Sequence, residues 1–163
     1  MDLSTAISTL ESAIGDPRRG LPLDVFQFVS RVAPLINVDL LIQEEGRTLL
    51  TWRDDEFFGA GWHVPGGIIR YKEKAADRIR ACAREELGAE VEFDAAPVLV
   101  SEFIREQRDR GHFISLLYRC RLLTPLDESR RATSDAPAAG AWRWHDRCPS
   151  NLIGAHTGYA RLF

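Results

Sequence analysis

Leu3, Ile7, Leu10 and Ile14 recur at the spacing of one helix face, and Gly15 followed by Pro17 stops the run. The pattern predicts a short amphipathic N-terminal helix. Its polar face carries no Lys or Arg, so packing on the domain or on a second subunit is favoured over a membrane surface. A second helix is expected from Asp24 to Val32, with Pro34 marking its exit. From Leu35 the period changes to that of strands. Residues 35–43 and 47–53, joined through Glu44, Glu45 and Gly46, read as a hairpin, and Asp39 interrupts the first strand in an apolar setting. Strand alternation alone leaves Asp39 either on an exposed face or aimed at a ligand. Short extended pieces then flank the pair Gly66-Gly67, a turn that lets backbone approach something closely.

A helix is expected over Ala75 to Leu87, ended by Gly88, followed by strands near 90–93, 98–105 and 112–122, the last two as a hairpin. Residues 125–140 form a polar loop, 141–144 a last short strand, and the tail holds one or two helical turns. The sum is an α/β or α+β domain with a mixed sheet. Residues 1–20 form the helical N-terminal segment and 21–163 a single domain.

Composition sharpens this picture in a few places. A chain of 163 residues with 45% apolar and 28% charged positions is globular and large enough for one core. A formal charge of −3 gives no global field that draws it onto nucleic acid. The chain start lacks the basic and apolar regions of a signal peptide, and no apolar run approaches the ~20 residues of a membrane span. A cytoplasmic location without membrane partners is expected. Cys82, Cys120 and Cys148 lack paired spacing and read as reduced thiols. His63, His112, His145 and His156 show no H-E-x-x-H arrangement and read as structural.

The helix at 75–87 carries the sharpest chemical signal. On a wheel of about 100° per residue, Ala75, Ala76, Ile79, Cys82 and Ala83 share one stripe, and Glu86 falls near its middle. Glu85 lies off the stripe. An ionised carboxylate on a buried stripe is costly unless paired or bound to metal, and two carboxylates at a helix C-terminus oppose its dipole. A divalent cation relieves both penalties. The competing reading is that the stripe leaves the core at its last turn and Glu86 is solvated.

Gly67, Glu73, Glu85, Glu86 and Gly88 stand at the spacing G-x5-E-x7-R-E-U-x-E-E-x-G-U. In this the chain resembles the Nudix hydrolases, with Ala81 where the family has Arg and Cys82 where it has a metal-binding Glu. The pattern is most similar to the GDP-mannose mannosyl hydrolases over roughly residues 25–144, through Pro34-Leu35, Asp39, Leu49-Leu50, Arg53 and Trp62 to Gly67. The resemblance implies a Nudix-type α/β/α sandwich with a catalytic loop-helix-loop. It implies a magnesium-dependent hydrolase, with manganese as the substitute, acting on a nucleoside diphosphate linked to another group such as a sugar.

By that resemblance Glu86, Glu85 and the Gly66 carbonyl hold the metal, and Glu73 is an orienting carboxylate that pairs with a helix Arg. Asp39, Arg53 and Arg70 contact substrate, with Arg70 standing in for an Arg that the subgroup has at the Ile68 position. Arg80 or Arg84 offers a substitute near Ala81. The loop 137–140, which in the subgroup carries a metal-binding Gln and the general base, here reads Pro-Ala-Ala-Gly. Asp135, Glu128, Glu102 and His112 are the remaining candidates to activate water. The alternative is a Nudix-fold nucleotide-binding or regulatory module with weak or lost catalysis. A homodimer is expected in either case.

Overall fold

The structure, a computed structural model, describes residues 2–163. The first helix, α1 (Leu3–Ile14), is capped by Asp2, whose carboxylate accepts the Thr5 N–H at 3.0 Å. None of its residues is buried, so the apolar face foreseen from the sequence is uncovered in the single chain. After a tight turn at Pro17–Arg19 comes α2 (Leu23–Val32).

Strands β1 (Leu35–Glu44) and β2 (Arg47–Asp55) form the expected hairpin, whose two-residue turn places Glu45 and Gly46 at positive φ, as such turns require. β3 (Gly59–His63) and β4 (Gly66–Ile68) follow, then α3 (Ala75–Cys82). β5 (Val91–Phe93), β6 (Leu99–Ile104), β7 (His112–Leu122) and β8 (Trp142–His145) complete the strands among the described residues. The tail is a 3-10 segment, Gly154–Leu162.

The order along the sheet is β3-β2-β1-β7-β5, with β4 pairing β1 at 37–39, away from the 43–44 contact with β2, and with β6 on β7 and β8 on β2. β1 and β7 run parallel through eight partnered positions, and the other pairings are antiparallel, so the sheet is mixed. The β1 pleat sorts the core. Val38, Leu40 and Ile42 face α3 and pack with Ile79, Cys82 and Leu87. Leu41 faces the other way and joins Leu50, Trp52, Trp62, Leu117 and Tyr159, with the C-terminal segment as cover. Asp39, with the parity of Leu41, is thereby aimed into the second layer. No helix is long and apolar enough to cross a membrane, among the described residues.

Candidate functional site

The glycine pair places β4 between β1 and α3. A methyl group on Gly66 would collide with the Val38 carbonyl and the Asp39 carboxylate, and one on Gly67 would lie 2.8 Å from the Cys82 sulfur. Absence of side chains here lets the strand and helix close on each other. The α-helical hydrogen bonding of α3 ends at Cys82. The next five residues, Ala83–Leu87, form one wider π turn, capped by Gly88 in the left-handed region (φ 64°). Glu85 and Glu86 ride on that turn.

Glu86 reaches inward from it. Its Oε1 accepts the Gly66 N–H at 3.0 Å, and its Oε2 accepts the Thr51 hydroxyl at 3.0 Å. Gly66 thus meets Glu86 through its amide. The side chain keeps about a quarter of its exposure, yet its carboxyl lacks a cation in contact. Burial outweighs the two hydrogen bonds and the distant charge of Arg53, and pushes the acid up to about 7. His63 lies behind Thr51. Its Nδ1 is 2.9 Å from the Val64 carbonyl, which can only accept, so the proton sits on Nδ1 and Nε2 presents a lone pair to the Thr51 hydroxyl at 3.0 Å. Burial, then the field of Arg53, holds this imidazole well below its ordinary pKa and so neutral.

Glu73 follows the glycine turn. Arg78, itself buried, grips it with two parallel bonds, Nε to Oε2 at 3.0 Å and Nη2 to Oε1 at 2.8 Å. Burial would raise the Glu73 pKa, but the Arg78 fork and the Arg70 N–H bring it below the usual value. Arg78 Nη1 also lies 3.5 Å from the exposed Glu85 carboxylate. Ala81 leaves the family's Arg position empty, and the guanidinium that meets Glu73 and Glu85 comes from three residues earlier. Residues three apart share a helix face, so the sequence held the signal for Arg78. Arg80 turns instead to Asp77, and Arg84 is exposed. Cys82 is buried, its thiol pushed up to about 12 chiefly by burial, and acts as a small apolar residue.

Asp39 is buried and bonded. The hydroxyls of Ser115 and Tyr159 both donate to its Oδ2, the second at 2.7 Å. His156 Nε2 stands 3.9 Å from the same oxygen, while His156 Nδ1 accepts the Val64 N–H at 3.0 Å. Tyr159 and His156 come from the weakly patterned tail and had no signal in the sequence. Asp39, Arg53, His63 and Gly66 share the wall of one cavity of about 120 Å³. Arg53 bonds Asp55 through Nε at 3.1 Å and lies over the Phe58 ring.

Other expected residues lie elsewhere. Arg70 is exposed beside a separate apolar groove bounded by Ile14, Phe26 and Ile69, and contributes its backbone N–H to Glu73 at 2.8 Å. A second groove brings Glu85 and Glu86 against Arg130, Arg131 and the loop 137–140, which supplies no ionisable side chain there. Asp135 is fully exposed beside Arg143, Glu128 pairs with Arg131, and Glu102 pairs with His112 at 3.1 Å. None of these four lines the Glu85–Glu86 groove.

The donor set bears on whether a divalent cation fits. Among the described residues no group of three or more His, Cys, Asp or Glu side chains converges on one point. Glu86 nonetheless is a half-buried carboxylate with hydrogen bonds and no positive partner in contact, and Glu85 opens onto the same groove. One or two carboxylates suit a magnesium ion whose remaining positions are filled by water and phosphate oxygens, and they do not suit a closed structural metal centre.

Comparison with known proteins agrees with this geometry. The profile described as NUDIX domain matches residues 34–147. Over 79 residues the chain is 35% identical to the low-salt glycan biosynthesis protein Agl8 of Haloferax volcanii, covering 48% of this chain and 51% of that one. It therefore spans about half the length of this curated relative. Among solved structures, the MutT NUDIX hydrolase of Burkholderia pseudomallei superposes with a TM-score of 0.60 at 23% identity, over 80% of this chain and 95% of the other. An ADP-ribose pyrophosphatase of Streptococcus suis gives 0.53 at 20% identity, over 78% and 87%, and a UDP-X diphosphatase gives 0.54 at 17%, over 92% and 83%. These identities establish shared architecture only. With the profile match spanning the β1 to β8 unit that carries Glu73, Glu85 and Glu86, the chain belongs to the NUDIX family.

Proposed function

We propose that this chain is a divalent-metal-dependent hydrolase of a nucleoside diphosphate linked to a second group, a nucleotide sugar being the favoured case. The observation that carries the reading is Glu86, a carboxylate drawn inward at the end of the α3 unit with no cation against it. The cavity holding Arg53 and Asp39 is also lined by Gly66, whose N–H bonds Glu86. Similarity to a glycan biosynthesis protein supports a nucleotide-sugar substrate.

Glu86 and Glu85 are the residues that would hold Mg²⁺ or Mn²⁺. When bound, the ion neutralises diphosphate charge and polarises the bond to be cleaved. Arg53 supplies a second positive group for phosphate oxygens. Asp39, fixed by Ser115 and Tyr159, presents a rigid acceptor for a substrate hydroxyl. Arg78 orients Glu73 and limits the swing of Glu85. Arg70 would enter only from the outside of β4. Uncovered apolar side chains on α1 support a homodimer.

The test is turnover of GDP-mannose, other nucleotide sugars, ADP-ribose and nucleoside triphosphates with Mg²⁺. Nucleoside diphosphate plus free sugar marks attack at carbon, and nucleoside monophosphate plus sugar phosphate marks attack at phosphorus. No turnover of any, together with measurable nucleotide binding, selects the second reading, a binding module. The Ala-rich loop 137–140 and the thiol at Cys82 favour that second reading, because neither supplies a water-activating group.

A further inference from the structure

Arg110 occupies the tip of the β6–β7 hairpin, and its backbone is fixed there. Its φ is 56°, its N–H donates to the Ser30 hydroxyl on α2 at 3.0 Å, and its carbonyl accepts from the Gln107 amide at 3.0 Å. An Arg31–Asp109 ion pair of 2.7 Å ties the same tip to α2. So anchored, the Arg110 guanidinium lies 5.1 Å from the centre of the Phe58 ring. Arg53 and Arg105 lie over that ring as well, at 5.2 and 5.5 Å. Three like charges converge on one aromatic side chain.

Acceptors do not match them. Asp55 stands 3.1 Å from Arg53 Nε with one oxygen and accepts the amides of Phe57 and Phe58 with the other, so one carboxylate is set against three guanidinium groups. Arg110 Nε is buried with no hydrogen-bond partner, and so is Asn37 Oδ1 in the wall of the same cavity. Aromatic faces attract a guanidinium but leave its N–H edge unpaired, and an unpaired edge out of water is costly. An oxyanion would satisfy that edge and relieve the repulsion.

We propose that Arg110 and Arg53, which line the cavity, form a subsite for an oxyanion carried by the group attached to the nucleoside diphosphate, with Arg105 adding its charge from over the Phe58 ring. Asn37 Oδ1 accepts from a hydroxyl beside that oxyanion. The volume of about 120 Å³ fits one substituent, since whole-ligand pockets run to roughly 300 Å³ and more. Glu86 is not part of this cavity wall but borders it through Gly66 and His63, so the diphosphate held at Glu86 and this anion would be neighbouring groups on one substrate. A sugar carboxylate and a phosphate ester share the needed chemistry. The inference rests on the hydrolase reading for the identity of the substrate, but the subsite can be read without turnover.

Thermal unfolding of the metal-free protein with sodium phosphate and with sodium glucuronate, against sodium chloride and glucose at matched ionic strength, tests it. At least one oxyanion should raise Tm saturably, and the stronger of the two names the ester or the carboxylate. Arg110→Met and Arg53→Gln should each weaken the apparent affinity about tenfold, the loss expected of one charge-assisted hydrogen bond. Glu86→Gln should keep the response. No shift beyond chloride, or a shift that survives both Arg substitutions, overturns the proposal. So does a shift abolished by Glu86→Gln, which would place the anion at the carboxylate site. If Arg110→Met does not fold, Arg53→Gln decides. Failure of the hydrolase reading shows separately, as no nucleotide turned over while the Arg-dependent shift persists.

Discussion

The Thr51 hydroxyl stands 3.0 Å from Glu86 Oε2 and 3.0 Å from His63 Nε2, and it has one proton for two acceptors. With Glu86 ionised, one acceptor goes without. With Glu86 protonated, the acid can donate to Thr51 and Thr51 to His63, so the Thr51 oxygen and His63 Nε2 both have donors. Burial, working against the Gly66 and Thr51 hydrogen bonds, raises this acid from 4.5 to about 7.

Metal-free stability should therefore depend on pH through Glu86. A carboxyl raised on folding disfavours the folded state once it must ionise. The cost is absent below the unfolded value of 4.5, grows as pH rises, and is complete above about 7. Glu86→Gln removes it. Denaturant unfolding at pH 8 should show the variant more stable than wild type by at most about 3 kcal/mol, and the gap should close near pH 4.5. A gap independent of pH would contradict the assignment.

Binding of Mg²⁺ or Mn²⁺ should release a proton below pH 7. Calorimetry in buffers of different ionisation enthalpy should report close to one proton at pH 6 and few at pH 8, with affinity falling up to about tenfold per unit below the Glu86 pKa. Glu86→Gln should lose metal binding and lower turnover by about a hundredfold or more.

Arg78 and Glu73 should be energetically coupled. Arg78→Met leaves a mostly buried carboxylate without its partner and should cost about 3 kcal/mol. Glu73→Gln together with Arg78→Met should cost less than the sum of the single changes. Arg78→Lys should restore charge but not the two-pronged bond, so recovery should be partial. Additive effects in the double-mutant cycle would show that the pair is incidental.

Gly67→Ala should destabilise by about 1–3 kcal/mol, because its methyl would press on the Cys82 sulfur. Cys82→Ala in the same chain removes that atom and should recover part of the loss, as measured by Tm.

The uncovered face of α1 predicts self-association. Light scattering should give a dimer mass for wild type, and Ile7→Glu with Leu10→Glu should shift it to monomer without loss of Tm beyond that linked to dissociation.

Much of this architecture was legible in the chain because its signals are local. The 3.6 period of residues 3–14, the Glu45-Gly46 turn and the Gly88 cap each act within a few positions. Glu86 could be placed on an inward stripe, but not the π turn that carries it, since a wheel at constant angle has no term for a widened turn. Asp39 could be singled out and left undecided. Its partners Ser115, Tyr159 and His156 lie far along the chain and are chosen by packing. Arg78 could have been found by asking which residue shares a helix face with Ala81. Arg110 could not, because a loop Arg is unremarkable until four aromatic rings close around it.

Tyr159 donates to Asp39 from 120 positions further along the chain, and the segment carrying it also delivers His156. The cavity wall is thus finished by residues far along the chain from the strand they complete. A chain with its strands paired but this segment undocked would still expose Asp39 to water, so the pocket closes only as the segment docks.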